Sequence, residues 1–176
     1  MEKKIVIVGS TCSGKTTLAK HLSRILKIPH IELDAIYWGP NWTAKPFPEF
    51  RKIVEKISTE NSWIIEGNYM SVQNIVFSEA ELVIWLNYSF PVVMHRALKR
   101  TIRRIISKEL LFSGNRERFF EQFFTRDSLY WWLIKTYKKK KDNMRFIFDL
   151  DIYSNAKKVE LKKNGEAQDF LNSFYQ

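Results

Sequence analysis

One cysteine, Cys12, occurs in 176 residues. That rules out an internal disulfide framework and fits a reducing compartment. No run of about 18 apolar residues is present, the minimum for a helix that spans a bilayer. The N-terminal MEKKIVIVGS enters a strand-like run without a secretory cleavage pattern. A cytoplasmic location is therefore expected, with no membrane partner. Glycine and proline number only six and five, and no Gly/Ser linker, internal repeat or low-complexity stretch beyond Lys138–Lys141 marks a boundary. A chain of this length suits one core, so residues 1–176 are expected to form one domain. Acid is the scarcer charge, 19 residues against 29 basic, for a net +10. Such a surface attracts phosphates, nucleic acid or anionic membrane.

The apolar share is 45% and the aromatic share a high 15%, enough for a sizeable core. Ile5-Val6-Ile7-Val8 is a β-branched run ending at Gly9, and Leu18, Leu22, Ile25 and Leu26 then recur at helical spacing. The alternation continues with a short strand over His30–Asp34, a helix over Phe47–Ser58 opened by Pro46 and Pro48, and a strand over Trp63–Glu66. Leu82–Leu86 is the most continuous apolar run and reads as a strand buried on both faces near the middle of a parallel sheet. A helix follows Pro91 to about Leu111, Ser113-Gly114-Asn115 interrupts, and a second amphipathic stretch runs from about Glu117 to about Leu150. Lys158–Leu161 is the candidate fifth strand, with Phe146-Ile147-Phe148 as its rival, before a terminal helix containing Phe170, Leu171 and Phe174. Strands alternating with helices imply right-handed crossovers and an open α/β sheet covered on both faces. Ligands of such sheets bind beyond the C-terminal ends of the strands. The Gly9 loop, Asp34 and Glu66-Gly67-Asn68-Tyr69 all fall there.

Gly9-Ser10-Thr11-Cys12-Ser13-Gly14-Lys15-Thr16 matches GxxxxGK followed by Ser or Thr, between a predicted strand and a predicted helix. Glycines let successive N–H groups turn inward, and the helix start adds partial positive charge toward a phosphate. The loop, with Thr17 behind it, is expected to cradle the phosphates of ATP. In that arrangement Lys15 reaches the β and γ phosphates and Thr16 ligates Mg²⁺. Cys12 occupies a variable position where small size suffices.

Beyond the loop, the chain resembles the adenylate-kinase-like P-loop kinases, and among them the proteins named DNA topology modulation protein. The resemblance rests on the early phosphate loop, on Leu33-Asp34-Ala35-Ile36-Tyr37-Trp38 followed by Trp42, on Trp63-Ile64-Ile65-Glu66-Gly67-Asn68-Tyr69, and on basic residues after Trp85-Leu86. It spans most of the chain. It implies a three-layer α/β/α fold with a five-stranded parallel sheet and a helical lid insertion, placed at about residues 96–126. In that family an RxxxR pair on the lid helix contacts the transferring phosphates, and Arg96 and Arg100 match it. From the residues alone, Arg96, Arg100, Arg103 and Arg104 form a guanidinium stripe opposite Leu98, Ile102, Ile105 and Ile106. Such a stripe can neutralise a transferring phosphoryl group, or be a solvated face or nucleic-acid surface. Lys138–Lys141 reads as a solvated helix end.

Asp34, at the end of a predicted strand beside the loop, is placed to accept a substrate hydroxyl proton or to hold Mg²⁺ through water. A turn aspartate is the plainer alternative. Glu66 is a parallel candidate. The chain departs from nucleoside monophosphate kinases after Tyr69, where no arginine follows to grip an acceptor phosphate. The acceptor is therefore expected to lack a phosphate or to be held differently. Trp38 and Trp42 flank Gly39-Pro40-Asn41 in an acceptor-side loop, either stacking on a flat ring or covering the core. A regulatory GTPase is disfavoured by the absence of NKxD and of DxxG after the third strand. The expected activity is transfer of the ATP γ-phosphoryl to a small acceptor: a nucleotide, a nucleoside, or another small hydroxyl compound or acid. The alternative is a nucleic-acid-associated ATP-binding protein. It draws on the net charge but lacks a helix-turn-helix, zinc or stacking-platform signature.

Overall fold

A computed structural model describes residues 2–115, 128–150 and 155–174. Strand β1 (Lys4–Gly9) leads into helix α1 (Lys15–Leu26), and β2 (His30–Glu32) runs directly into the short helix α2 (Leu33–Tyr37). A 3-10 turn at Pro40–Trp42 precedes α3 (Phe47–Ser58), followed by β3 (Trp63–Glu66), α4 (Met70–Ser78), β4 (Leu82–Leu86) and α5 (Phe90–Ser107). After a second 3-10 turn at Phe112–Gly114 come α6 (Leu129–Asp149), β5 (Lys157–Leu161) and α7 (Glu166–Asn172).

All five strands are parallel, in the order β2-β3-β1-β4-β5. Successive side chains of a strand point to opposite faces, and the core divides accordingly. Ile5 and Ile7 pack on one face with Leu18 and Leu22 of α1 and Val93 and Ala97 of α5. Val6 and Val8 pack on the other with Phe50 and Val54 of α3 and Val72 and Val76 of α4. Three layers follow from one alternating strand buried on both sides. The continuous apolar run Leu82–Leu86 is an interior strand, as expected, but the centre of the sheet is β1.

Several sequence expectations are corrected. The strand at His30 stops at Glu32, and Asp34 lies in the first turn of α2 rather than at a strand end. Phe146-Ile147-Phe148 belongs to α6, so the fifth strand is Lys157–Leu161. Helix α5 stops at Ser107, because Lys108 adopts a left-handed φ of 50° and its N–H closes on Arg104 and Ile105 carbonyls. Helix α4 was not anticipated. The expected stretch from Glu117 is helical over Leu129–Asp149, and its residues 117–127 lie outside the described residues. The expected lid region is described only to residue 115.

Helix α5 also inverts a simple amphipathic reading. Its buried residues are Val93, Ala97 and Thr101, whereas Leu98, Ile102 and Ile106 are exposed, Ile106 by 76%. Arginines 96, 100, 103 and 104 line the cleft beside the buried stripe.

Candidate nucleotide and acceptor site

The C-terminal ends of the strands open into a cleft of about 2030 Å³. Its floor is the phosphate loop. Gly9 has φ +152°, and a Cβ there would lie 2.8 Å from the Leu86 carbonyl oxygen of β4, so only glycine lets the chain turn this close to the sheet. Gly14, φ +100°, precedes α1 without a side-chain cap, and no acid occupies the helix's first turn. The first N–H groups of α1 are thus left for an anion. Lys15 Nζ donates to the Ser10 carbonyl at 3.0 Å. Thr11 through Thr17 and Gly9 line the cleft; Ser10 contributes that carbonyl instead.

Beside the loop, β2 and β3 end in acids paired in register, Glu32 with Glu66. The Thr16 hydroxyl donates to Glu66 Oε1 at 2.5 Å, with Glu32 Oε1 at 3.4 Å. His30 Nε2 stands 3.8 Å from Glu66 Oε1. Glu66 is buried, 2% exposed. Burial alone would raise its carboxyl, but the adjacent His30 imidazole, the Lys15 charge and the Thr16 hydroxyl together hold it below the usual carboxylate range. Glu32 moves the other way, raised by burial and then by the charges of Glu66 and Asp34. Glu32 was not singled out in the sequence. The signal was there, an acid at the end of each of two strands that become neighbours, but their adjacency is a property of the sheet order.

Asp34 faces the cleft from α2 and accepts a 2.5 Å hydrogen bond from the Tyr69 hydroxyl. Burial, then the Asp34 charge, drives the Tyr69 phenol well above its ordinary value, so it remains a donor. Tyr69 precedes α4, and its ring is held 5.1 Å from Phe50 and 4.9 Å from Tyr37, centroid to centroid. Trp38 and Trp42 meet edge to face at 5.9 Å and both line the cleft. Their loop is stapled by Asn115, whose Oδ1 accepts from the Trp42 N–H at 3.1 Å and whose Nδ2 donates to the Gly39 carbonyl at 2.9 Å. The Ser113 hydroxyl adds a bond to the Trp38 carbonyl.

Arg96 lies over the Tyr88 ring, 4.3 Å from its centroid, and donates to the Ser13 carbonyl at 2.8 Å and to Asn164 Oδ1 at 2.9 Å. It is docked on the rim of the phosphate loop. Arg100 lines the cleft one helical turn further on. Arg103 and Arg104 approach Glu109 at 3.7 and 3.8 Å. Lys140 corrects the reading of Lys138–Lys141 as a solvated helix end. Helix α6 continues to Asp149, so the run sits mid-helix, and successive residues point about 100° apart. Lys138 and Lys139 are exposed, whereas Lys140 turns into the cleft.

No protein-family model matches the chain. Over 132 residues it is 32% identical to "Uncharacterized protein YqaC" of Bacillus subtilis (strain 168), a match covering 74% of each protein. Among solved structures, a shikimate kinase from Bacteroides thetaiotaomicron superposes with TM-score 0.56 at 17% identity, covering 98% of this chain and 96% of that one. A sugar kinase from Janibacter sp. HTCC2649 gives TM-score 0.57 at 14% identity, with 98% and 92% covered. At such identities the likeness concerns the fold. The DNA topology modulation name remains a resemblance of motifs, since YqaC carries no activity in its name. The chain has the three-layer P-loop kinase fold and belongs to the same family as YqaC of Bacillus subtilis.

Proposed function

We propose that this protein is an ATP-dependent kinase acting on a small acceptor. One observation carries the reading: a single cleft holds the phosphate loop on one side and the Asp34–Tyr69 pair, walled by Trp38 and Trp42, on the other. That is a donor half facing an acceptor half. A switch or motor needs only the first.

In this reading Lys15 leaves the Ser10 carbonyl for the β and γ phosphates, and the loop N–H groups hold the remaining oxygens. Arg96 and Arg100 line the donor side as charge-compensating residues. The acceptor hydroxyl oxygen attacks the γ-phosphorus, the bond to the bridging β–γ oxygen breaks, and ADP departs. The hydroxyl proton passes to Asp34. Tyr69 fixes one Asp34 oxygen, leaving the other to accept that proton. For Mg²⁺ the residues fit: the Thr16 hydroxyl sits against two clustered carboxylates, with Glu32 raised by burial and then by the Glu66 charge, a cost that a divalent cation relieves. When bound, Mg²⁺ supplies neutralisation of the β,γ oxygens. Glu66 and Glu32 are thereby metal-side residues and Asp34 the acceptor-side base.

The test is phosphoryl transfer from labelled ATP across a panel of small hydroxyl compounds. Asp34→Asn is expected to lower kcat by about 10²-fold or more while ATP still binds, and Lys15→Ala to abolish transfer. ATP binding without stimulated transfer to any acceptor sinks the proposal.

A further inference from the structure

The cations of the cleft differ in what they touch. Lys15 bonds the Ser10 carbonyl, Arg96 bonds Ser13 and Asn164, and Arg103 and Arg104 approach Glu109. Lys140 has neither a hydrogen bond nor an ion pair among the described residues. Its ammonium lies 3.9 Å from the centroid of the Trp132 ring, which also lines the cleft. A cation over an aromatic face gains some attraction there, but an ammonium half withdrawn from water with no counter-ion is unfavourable.

Lys140 lines the same cleft as Lys15 and Asp34. Burial, and then the Lys15 charge, lower its pKa to about 8, with Asp34 offsetting part of the shift. The donor lysine and the acceptor-side acid thus both act on its charge. The ring beneath it, Trp132, lines the cleft together with Trp38 and Trp42. Asp34 offsets only part of the desolvation cost; it forms no ion pair with Lys140 among the described residues, and its Oδ1 accepts from Tyr69. The donor half already holds Lys15, the start of α1 and the α5 arginines for the triphosphate. An anion on the acceptor is what the acceptor half lacks.

We propose that the phosphoryl acceptor is a small anion whose carboxylate or phosphate is bound by Lys140 against Trp132, while its hydroxyl lies at Asp34. The proposal rests on the kinase reading for the word acceptor, but the anion site itself is defined by binding. It also answers the missing arginine after Tyr69: the anion-binding residue comes from α6 instead. The aromatic walls suit a ring or short carbon body rather than a polymer.

The experiment is a tryptophan-fluorescence titration of the full chain with Mg²⁺ and ADP present, since three of its tryptophans line the cleft. The probes are sets sharing one body: gluconate and glucitol; glucose 6-phosphate and glucose; 3-hydroxybenzoate and 3-hydroxybenzamide; cytidine 5′-monophosphate and cytidine. At least one anion is expected to bind about tenfold or more tighter than its neutral counterpart, tenfold being about 1.4 kcal/mol. The preference of carboxylate or phosphate arms names the group. Lys140→Met should remove that preference, and Lys140→Arg should keep most of it. ADP and ATP affinities, read with a fluorescent nucleotide, should change by less than about twofold, a shift of about 0.4 kcal/mol. Binding of no anion, equal binding of neutral partners, or an unchanged preference in Lys140→Met overturns the proposal. So does selective loss of ATP over ADP affinity, which would give Lys140 to the γ-phosphate. Anion binding through Lys140 without phosphoryl transfer would sink only the kinase reading.

Discussion

A lysine whose folded pKa lies near 8 binds fewer protons in the folded chain than in the unfolded one, where the ordinary value is about 10.4. Below pH 8 both states are charged and the folded state carries the whole desolvation cost. Stability rises with pH between about 8 and 10.4 as the folded amine sheds its proton first. Lys140→Met is therefore expected to stabilise the protein at pH 7 by about 1 kcal/mol, the fully buried figure reduced for solvent screening of a half-exposed group. In thermal unfolding that is a rise of about 2–4 °C, fading toward pH 10. A fall in Tm at pH 7 would show that Lys140 contributes to holding the fold. Stability gained on removing a site residue is the usual mark of a group placed for binding rather than folding. Asp34 and Tyr69 work differently: their mutual hydrogen bond fixes both, so Tyr69→Phe should lower kcat less than Asp34→Asn while leaving nucleotide affinity unchanged.

Between elements, the contact that most shapes the acceptor half is Asn115. One buried amide joins the turn after α5 to the loop carrying Trp38 and Trp42. Replacing it with alanine leaves the Trp42 N–H and the Gly39 carbonyl without these partners. The cost of unmade buried bonds is about 1–3 kcal/mol, and it should fall locally. Hydrogen exchange is expected to accelerate at Trp42 by at least about tenfold while β1 amides are unaffected, tenfold matching about 1.4 kcal/mol of opening energy. Uniform acceleration across β1 as well would mean that Asn115 supports the core rather than the loop. The same staple ties the turn after α5 to the acceptor loop, so displacement of one is expected to carry the other.

Across the whole molecule, the excess of positive charge is not a uniform coat. Arg96, Lys99, Arg100, Arg103, Arg104 and Lys140 line the cleft, so part of the +10 concentrates where phosphates would bind. At the far edge of the sheet, Glu160 of β5 gathers Asn87, Arg145 and Lys162, joining β5 to α6 and to the end of β4. Burial pushes its carboxyl up, yet bonds from Arg145, Asn87 and Lys162 prevail and hold it below the usual range. A carboxylate lowered on folding stabilises above its unfolded value of about 4.3 and loses that contribution as pH falls through the folded value. Glu160→Gln should thus lower Tm at pH 7 and flatten the acid limb of stability against pH. An unchanged acid limb would place the pH dependence elsewhere.

What the sequence determined by itself was local and periodic. The glycine-lysine loop between a β-branched run and an amphipathic helix, the interior strand at Leu82, and the alternation implying a parallel sheet were all legible, because strand and helix periods and turn chemistry act over a few residues. Lys15, Thr16, Asp34 and Glu66 stand out as candidates in the sequence for the same reason, and the fold brings the four to one cleft. Tertiary structure decided the rest. Sheet order placed Glu32 beside Glu66 although 33 residues separate them in the chain. The direction of α6 put Lys140 in the cleft, where a run of four lysines had read as a solvated end. The packing of α5 through Val93, Ala97 and Thr101 turned its arginines toward the cleft and left Leu98, Ile102 and Ile106 outside. A residue type and its spacing state which chemistry is available, whereas which side chains share one cleft depends on how distant faces pack, and only the fold specifies that.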